Sequence, residues 1–389
     1  MKYNFDEVID RSNTNCVKWD RMDKDILPMW VADMDFATAQ PIIDAIQKKA
    51  AAGVFGYTYK PEAYYEAVLY WWNKHYSFKL SKEWIVYFPG IVPALSMLFR
   101  TLLKSGDKVI IQSPVYHPFY HVINNNGFQV VENPLIFNGE SYDIDFDDLE
   151  KKASDPDVKI MLLCSPHNPV GRVWTREELT RIGNICLKNN LLVIADEIHC
   201  DLVYDGYTHV PFASINESFL MNSITCTAPS KTFNIAGLQI SNLIIPDGEL
   251  RKKITDEMAV MHIEEPNVFG VEALIAAYTE GEEWLKQLLE YLQYNIEYVC
   301  GFIDKGIPSL KVIRPQGTYL VWIDCRALNM NSSQLNTFLL QNAKVQINQG
   351  KMFGDNGDGF IRLNVACPKT LLIEGLNRIK KAVDTYMKR

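Results

Sequence analysis

Four short apolar runs in the middle of the chain constrain its fold more than any other feature of the sequence. They span residues 109–112, 160–164, 191–195 and 222–227, and a turn or a helix-like stretch follows each of them. Runs of this length and apolar content are typical of strands buried on both faces of a sheet. Because such strands alternate here with amphipathic stretches, the sequence predicts an α/β fold with a mostly parallel sheet and right-handed crossovers.

The pattern changes after Gly281. Apolar residues then recur every three or four positions, which predicts a long amphipathic helix. Strand-like residues 319–323 and 361–365 follow, and a last amphipathic stretch ends the chain. We therefore predict two domains: a large one over residues 54–281, and a smaller α+β domain that combines residues 1–53 with residues 282–389.

Charge and hydropathy exclude several classes of partner. The chain has 39 Lys+Arg against 47 Asp+Glu, a formal net charge of −8, and no basic run, so nucleic-acid binding is not expected. No apolar run reaches the roughly 18 residues that cross a bilayer, and the N-terminus has no apolar core of a signal peptide. These features predict a cytoplasmic protein that binds neither nucleic acid nor membrane.

The cysteines and histidines give no sign of a disulfide framework or a metal site. The 8 cysteines are scattered along the chain, and the 7 histidines form no cluster at metal-ligand spacing. Free cysteines in a reducing compartment explain this distribution better than disulfides. We therefore expect no bound metal.

Polar residues follow the predicted strands where ligands bind in parallel sheets, at the carboxyl ends. These residues are Tyr116, Asn168, Asp196 and Lys231. A single lysine is usually a solvated surface charge. Within the apolar, small-residue surroundings of Lys231, however, burial would lower the amine pKa and make it a nucleophile for Schiff-base chemistry.

Two of these side chains suit a heterocyclic cofactor. Asp196 at the end of a buried strand is either a structural ion-pair partner or the partner of a protonated ring nitrogen. Asn168 precedes a proline and is either part of a turn or a donor to a phenolate-type oxygen.

Two further residues suit anionic groups. Gly90 precedes an apolar helix, whose first N–H groups could bind a phosphate. Arg362 interrupts a buried strand, where it forms either a structural salt bridge or a bidentate clamp on a substrate carboxylate. In chain order, the five residues would provide a phosphate anchor, a ring-oxygen donor, a ring-nitrogen acid, a Schiff-base lysine and a carboxylate clamp.

With these motifs the sequence resembles the class I/II aminotransferase family, the pyridoxal 5'-phosphate (PLP) enzymes of fold type I. Within it the chain is similar to the cystathionine β-lyase branch, also called the MalY/PatB group. The strings that carry the resemblance are LPMWVADMDF at 27–36, DEIH at 196–199 and APSKTFNIAG at 228–237. The resemblance covers nearly the whole chain.

The resemblance implies a role for each matching position. Lys231 would hold PLP and move the Cα proton, Asp196 would pair with the pyridine nitrogen, and Asn168 would donate to the ring oxygen. Tyr116 would stack on the ring, and it is counted with Lys231 and Asp196 as catalytic. Arg362, aided by Asn168 and the backbone at Ala32, would bind the substrate α-carboxylate.

The phosphate would be bound by Gly90, Ile91, Val92 and Ser230, and by Tyr59 from a second subunit. The resemblance therefore implies a homodimer with shared active sites. Four positions depart from the common aminotransferase pattern: Val92 replaces a hydroxyl residue, Ala228 a serine, Gln239 an arginine, and His199 the ring-oxygen tyrosine. We expect His199 to contact the cofactor.

The expected reaction is β-elimination from L-cystathionine or a related S-substituted cysteine, which gives a thiol, pyruvate and ammonia. Transamination between an amino acid and a keto acid is the alternative, since it shares the steps up to Cα deprotonation. A third possibility is a regulatory protein that binds the cofactor without catalysis, although the complete set Lys231, Asp196, Asn168 and Arg362 argues against it.

Overall fold

The structure is a computed structural model that describes residues 2–388. Its strands are β1 (Leu27–Pro28), β2 (Ile85–Phe88), β3 (Lys108–Ile111), β4 (Gln129–Glu132), β5 (Ile136–Phe137), β6 (Tyr142–Asp143), β7 (Val158–Cys164), β8 (Leu192–Asp196), β9 (Ser223–Thr227), β10 (Ser241–Ile244), β11 (Lys311–Ile313), β12 (Leu320–Asp324), β13 (Val345–Gln346), β14 (Asn348–Gln349) and β15 (Phe360–Asn364). Its α-helices are α1 (Val17–Asp20), α2 (Gln40–Ala51), α3 (Glu62–Tyr76), α4 (Ile91–Leu102), α5 (Pro118–Asn125), α6 (Phe146–Ala153), α7 (Arg176–Lys188), α8 (Glu217–Met221), α9 (Pro229–Thr232), α10 (Gly248–Met261), α11 (Val268–Glu280), α12 (Glu282–Gly306), α13 (Ser332–Phe338) and α14 (Lys369–Met387).

A seven-stranded sheet in the order β2-β10-β9-β8-β7-β3-β4 forms the centre of the protein. The pairs between β9, β8, β7, β3 and β4 are parallel, whereas β10 runs antiparallel to both of its neighbours. The four predicted strands coincide with β3, β7, β8 and β9 to within two residues at each end. The α/β fold with a mostly parallel central sheet is therefore confirmed.

Helices cover both faces of this sheet, which explains why its strands are apolar on both sides. One face packs against α4, α5 and α10 in a buried cluster that includes Leu95, Phe99 and Ile254. The other face packs against α6 and α7 in a second cluster that includes Leu149, Leu179 and Ile182. Burial of this kind contributes about 25 cal/mol for each Å² of apolar surface removed from water.

Helix α7 illustrates how local sequence sets an element boundary. The Thr175 side chain accepts a hydrogen bond from the Glu178 amide, and the Glu178 carboxylate accepts one from the Thr175 amide. This reciprocal capping box fixes the start of the helix.

A four-stranded antiparallel sheet in the order β11-β12-β15-β14 follows the 25-residue helix α12. The N-terminal segment joins this part of the protein, because β1 pairs in parallel with β13. This pairing agrees with the predicted grouping of residues 1–53 with 282–389, although the domain boundaries themselves stay a prediction.

Residues 2–388 contain no candidate membrane span and no candidate metal site. No helix in this range is long and apolar enough to span a membrane. No group of three or more His, Cys, Asp or Glu side chains in it is arranged to hold a metal ion.

Candidate active site

A cavity of about 230 Å³ lies beyond the carboxyl ends of β7, β8 and β9. It brings together most of the predicted site residues from widely separated parts of the chain. Those that line it are Ala32, Gly90, Ile91, Val92, Tyr116, Asn168, Asp196, His199, Ser230 and Lys231. Predominantly apolar walls with a few convergent polar groups are typical of a cofactor or substrate site.

Lys231 is carried by the short helix α9, which follows directly after β9. Its Nζ donates a hydrogen bond to the Ala32 carbonyl oxygen at 2.7 Å. Burial, with the positive charge of Arg362 in support, lowers the pKa of Lys231 to about 8. The neutral amine is therefore accessible close to neutral pH, as a nucleophile or proton acceptor requires.

Asp196 is the last residue of β8 and has no cationic partner among the described residues. Cys164 on β7 and Cys226 on β9 flank it in register, so its nearest neighbours across the sheet are apolar thiols. Its carboxylate accepts a hydrogen bond from the Ile198 amide at 3.3 Å. Burial raises the pKa of Asp196 to about 7. A carboxylate held in this way would be stabilised by a protonated nitrogen base in the cavity.

Arg362 on β15 is buried and is held only by neutral acceptors. Its guanidinium donates to Asn168 Oδ1 at 3.0 Å, to Asn348 Oδ1 at 2.7 Å and to the Trp30 carbonyl at 3.0 Å, while its Nε has no partner. Burial lowers the pKa of Arg362 only to about 10, so the group stays charged. Its charge is unpaired within residues 2–388, which suits an incoming carboxylate.

Residues 30–36, called here the cover segment, run past the cavity without regular secondary structure. Every carbonyl from residue 30 to residue 34 accepts a hydrogen bond from a side chain, which replaces the bonds a strand or helix would supply. The donors are Arg362 to Trp30, Asn364 to Val31 and Asp33, Lys231 and Tyr319 to Ala32, Lys18 to Asp33, and Arg11 and Asn234 to Met34.

A buried ionic cluster fixes the cover segment from its other side. Lys18, only 1% exposed, pairs with Asp35 at 2.7 Å, and Arg11 pairs with Asp35 and Asp33 at 2.7 Å each. The Trp19 indole adds a hydrogen bond to Asp35 at 2.8 Å. Two cations thus hold two acidic residues of the cover segment, Asp33 and Asp35, and the charges of the cluster balance.

His199 and Tyr319 form a second wall of the site. Their rings meet edge to face at a centroid distance of 6.0 Å, and the Tyr319 hydroxyl donates to the Ala32 carbonyl at 2.9 Å. Burial, assisted by the positive charges of Lys231 and Arg362, lowers the pKa of His199 to about 3. The imidazole is therefore neutral at physiological pH.

Helix α4 begins at the cavity directly after Gly90, and no side chain caps its N-terminus. The first amides of the helix therefore have no partner within it, and the helix dipole adds partial positive charge there. Both properties favour an anion near Gly90, Ile91 and Val92. Ser230 and Gln239 line the same cavity.

Tyr59 is the one predicted site residue that the single chain leaves apart from the others. Its side chain is 77% exposed, and Tyr57 beside it is 97% exposed. Both lie between α2 and α3 in a stretch without helix or strand. This position agrees with a residue that would act in another subunit, but the single chain does not test that role.

Sequence reasoning missed Tyr319, Asn348 and Asn364, which hold Arg362 and the cover segment. Tyr319 was noted only as the start of a strand. An Asn at the end of a predicted buried strand, as at Asn364, was the available signal, because a buried amide needs partners.

Comparisons with known proteins agree with this arrangement. The family model described as "Aminotransferase class I and II" matches residues 24–379. Cystathionine beta-lyase PatB of Bacillus subtilis is 42% identical over 386 residues, which cover 98% of this chain and 100% of that protein. Protein MalY of Escherichia coli is 34% identical over 388 residues, which cover 98% and 99% of the two chains.

A solved structure extends the similarity to the whole fold. Cystalysin from Treponema denticola, whose crystal structure contains pyridoxal 5'-phosphate, superposes with a TM-score of 0.97 at 38% identity, covering 99% of this chain and 100% of that chain. Together with the family model and the two relatives, this shows that the chain belongs to the class I and II aminotransferase family, in the branch that contains PatB and MalY.

Proposed function

We propose that this protein is a PLP-dependent carbon–sulfur β-lyase that cleaves L-cystathionine or a related S-substituted cysteine to a thiol, pyruvate and ammonia. The observation that carries the proposal is the buried Lys231 amine in the same cavity as the unpaired Asp196, in a chain 42% identical over its length to a protein named cystathionine beta-lyase. A second relative from Corynebacterium glutamicum, 31% identical over 378 residues, carries the same name.

The residues of the cavity fit PLP. Asp196 lacks a cationic partner and would gain one in a protonated pyridine nitrogen, while the uncapped start of α4 would gain an anion in the phosphate. Lys231 would hold the aldehyde carbon, Asn168 would face the ring oxygen, and Tyr116, whose pKa burial raises, would stack on the ring as a neutral phenol. We assign phosphate contacts to Gly90, Ile91, Val92 and Ser230, and a ring contact to His199.

Bound PLP supplies an electron sink that stabilises negative charge at the substrate Cα. Arg362 binds the substrate carboxylate through its guanidinium, oriented by Asn168 and Asn348, and the backbone at Ala32 closes over it. The Lys231 amine, free once the substrate amine has taken its place, would accept the Cα proton. The bond between Cβ and sulfur then breaks, the electron pair leaves with sulfur, and a proton gives the free thiol. The remaining three-carbon unit hydrolyses to pyruvate and ammonia.

We propose further that two copies of the chain form a homodimer with shared active sites. The exposed apolar and aromatic side chains of Val54, Phe55, Tyr57 and Tyr59 lie in one short stretch, which a monomer would leave in water. In the dimer, Tyr59 would reach the phosphate in the partner's cavity. A cytoplasmic location and the two-domain division at residues 54 and 282 are proposed on the sequence arguments given above.

Transamination is the second candidate, because the family model is that of aminotransferases. One assay separates the two reactions. Purified protein with PLP and L-cystathionine is incubated without any keto acid, and pyruvate is followed with time. A lyase releases pyruvate continuously without an acceptor. An aminotransferase converts cystathionine to its corresponding keto acid, releases no pyruvate from it, and stops after one turnover per site until another keto acid is added. Dependence on the keto acid would therefore contradict the lyase proposal.

A further inference from the structure

Asp201 links the helix that carries Lys231 to a helix outside the active site. Its Oδ2 accepts a hydrogen bond from the Thr232 hydroxyl at 2.7 Å, and Thr232 follows Lys231 directly. Its Oδ1 accepts from the Trp71 indole at 3.0 Å and from the Tyr76 hydroxyl, both on α3. Asp201 does not line the active-site cavity; it borders a separate cleft of about 730 Å³.

Helix α9, which Asp201 contacts through Thr232, is too short to be stable by itself. Helix α9 has only four residues, Pro229–Thr232, and so forms a single turn, which is unfavourable in isolation. Side-chain bonds therefore help to fix its orientation. The Thr232 hydroxyl is fully buried, and it points to the Asp201 carboxylate rather than to solvent.

The hydrogen bonds to Asp201 join neutral donors to a carboxylate. Within residues 2–388 no cation forms an ion pair with Asp201, so three neutral donors stabilise its charge. His75 lies close by, and burial lowers its pKa. Hydrogen bonds to an ionised acceptor are shorter and stronger than those between neutral groups.

Asp201 also belongs to the loop that carries two predicted cofactor contacts. It follows Asp196 by five residues and His199 by two. The Cys200 amide donates to the Glu197 carbonyl and the Leu202 amide to the His199 carbonyl, at 2.9 Å each, which fixes the loop on both sides of Asp201. One carboxylate thus connects the loop that carries Asp196 and His199 to the helix that carries Lys231.

We propose that Asp201 is a positioning residue that, through Thr232, directs the Lys231 amine toward the substrate Cα. The assignment rests on the proposed function, in which Lys231 holds the cofactor and moves that proton. Catalysis by a positioned group is sensitive to geometry, and a displacement of about 1 Å can lower the rate on the order of a hundredfold.

The test compares variants on the two sides of the Asp201 carboxylate in the PLP-loaded protein. Thr232→Val removes the hydroxyl that donates to Asp201 and keeps the shape of the side chain, whereas Thr232→Ser keeps the hydroxyl. Tyr76→Phe is the matched control, because it removes a hydrogen bond between Asp201 and α3. Asp201→Asn is measured beside them, because it keeps an acceptor for Trp71 and Tyr76. The readouts are the pH titration of the absorbance of lysine-bound PLP, kcat, KM and the thermal midpoint.

We expect Thr232→Val and Asp201→Asn to shift the apparent pKa of the lysine-bound PLP by about one unit and to lower kcat on the order of tenfold, with little change in KM. Thr232→Ser should restore both values, and Tyr76→Phe should change neither. If Thr232→Val and Tyr76→Phe lower the thermal midpoint alike and leave the spectrum and kcat as in the wild type, Asp201 is only structural and the proposal is overturned. A wild-type protein with no absorbance from lysine-bound PLP would instead contradict the proposed function itself.

Discussion

The Lys231 amine donates a hydrogen bond to the carbonyl oxygen of Ala32 at 2.7 Å, across 199 positions of the chain. Tyr319 donates to the same oxygen at 2.9 Å. The cover segment and the lysine are therefore held against each other by one backbone oxygen. The buried ionic cluster of Arg11, Lys18, Asp33 and Asp35 fixes the cover segment from its other side, so the N-terminal segment is part of the site.

Replacement of the lysine tests the covalent role directly. Lys231→Ala should abolish the absorbance of lysine-bound PLP and lower kcat by at least the 10²- to 10⁴-fold that proton transfer contributes. The measurement is an absorbance spectrum of the PLP-loaded protein, followed by pyruvate release. Lys252→Ala, on the exposed surface of α10, is the control and should match the wild type. Survival of the absorbance band in Lys231→Ala would refute the assignment.

The unpaired carboxylate at the cavity predicts a pH dependence of stability in the protein freed of cofactor. Burial raises the pKa of Asp196 from 3.8 to about 7, so between these values the folded protein binds more protons at this site than the unfolded chain does. The contribution of Asp196 to stability is thus complete below its unfolded pKa and is lost as the pH rises through about 7. The loss is on the order of 4 kcal/mol.

Denaturant unfolding of the cofactor-free protein at about pH 5 and about pH 8 measures the part of this loss that falls above pH 5, about 3 kcal/mol, as a difference between wild type and Asp196→Asn. The amide does not titrate, so the variant should gain stability relative to the wild type at the higher pH. Equal stability differences at both pH values would show that Asp196 has a stabilising partner.

In the PLP-loaded protein, Asp196→Asn should also weaken cofactor binding and nearly stop Cα deprotonation.

The carboxylate clamp predicts a specific loss of substrate binding. Arg362→Lys keeps the charge but loses the planar pair of donors, so kcat/KM should fall on the order of a hundredfold while the absorbance of lysine-bound PLP persists. Steady-state kinetics with L-cystathionine measure the effect. Arg314→Lys, at an exposed pair with Glu297, should leave the kinetics unchanged. An Arg362→Lys variant with normal kcat/KM would exclude Arg362 as the carboxylate ligand.

The ionic cluster behind the cover segment predicts a loss of stability. Lys18→Met leaves the buried Asp35 carboxylate with one cation fewer, and breaking a buried pair costs about 3 to 5 kcal/mol. The free energy of unfolding, from denaturant titration, measures it. Lys252→Met breaks an exposed pair with Asp256 and should have almost no effect. A Lys18→Met loss as small as that of the control would contradict the role of the cluster.

Residues at the ends of the parallel strands were predictable from the sequence. The apolar runs define the strands, and in a parallel sheet the residues that follow them meet at one edge, which brings Asn168, Asp196 and Lys231 together. The role of Tyr59 rests on the resemblance alone. For Arg362 the sequence leaves two alternatives open, a structural salt bridge and a clamp on a substrate carboxylate. For Arg362, the structure shows only neutral partners, which leaves its charge unpaired among the described residues.

The supports of the site were not predictable in this way. Tyr319 and Asn364 reach the cover segment across 287 and more than 330 positions, and Asp201 joins Thr232 to α3 across 31 and 130 positions. No local period or motif encodes such contacts, because they depend on how separately formed elements pack. A lysine is usually a solvated surface charge, and packing alone leaves Lys18 1% exposed.

The central claim is that Lys231 in this cavity drives the cleavage of a carbon–sulfur bond. The most direct measurement follows thiol and pyruvate together while PLP-loaded wild type and Lys231→Ala act on L-cystathionine without a keto acid. The account predicts equal amounts of thiol and pyruvate over many turnovers from the wild type, and neither from the variant. Equal product release by the variant, or no thiol from a wild type that carries lysine-bound PLP, would contradict it.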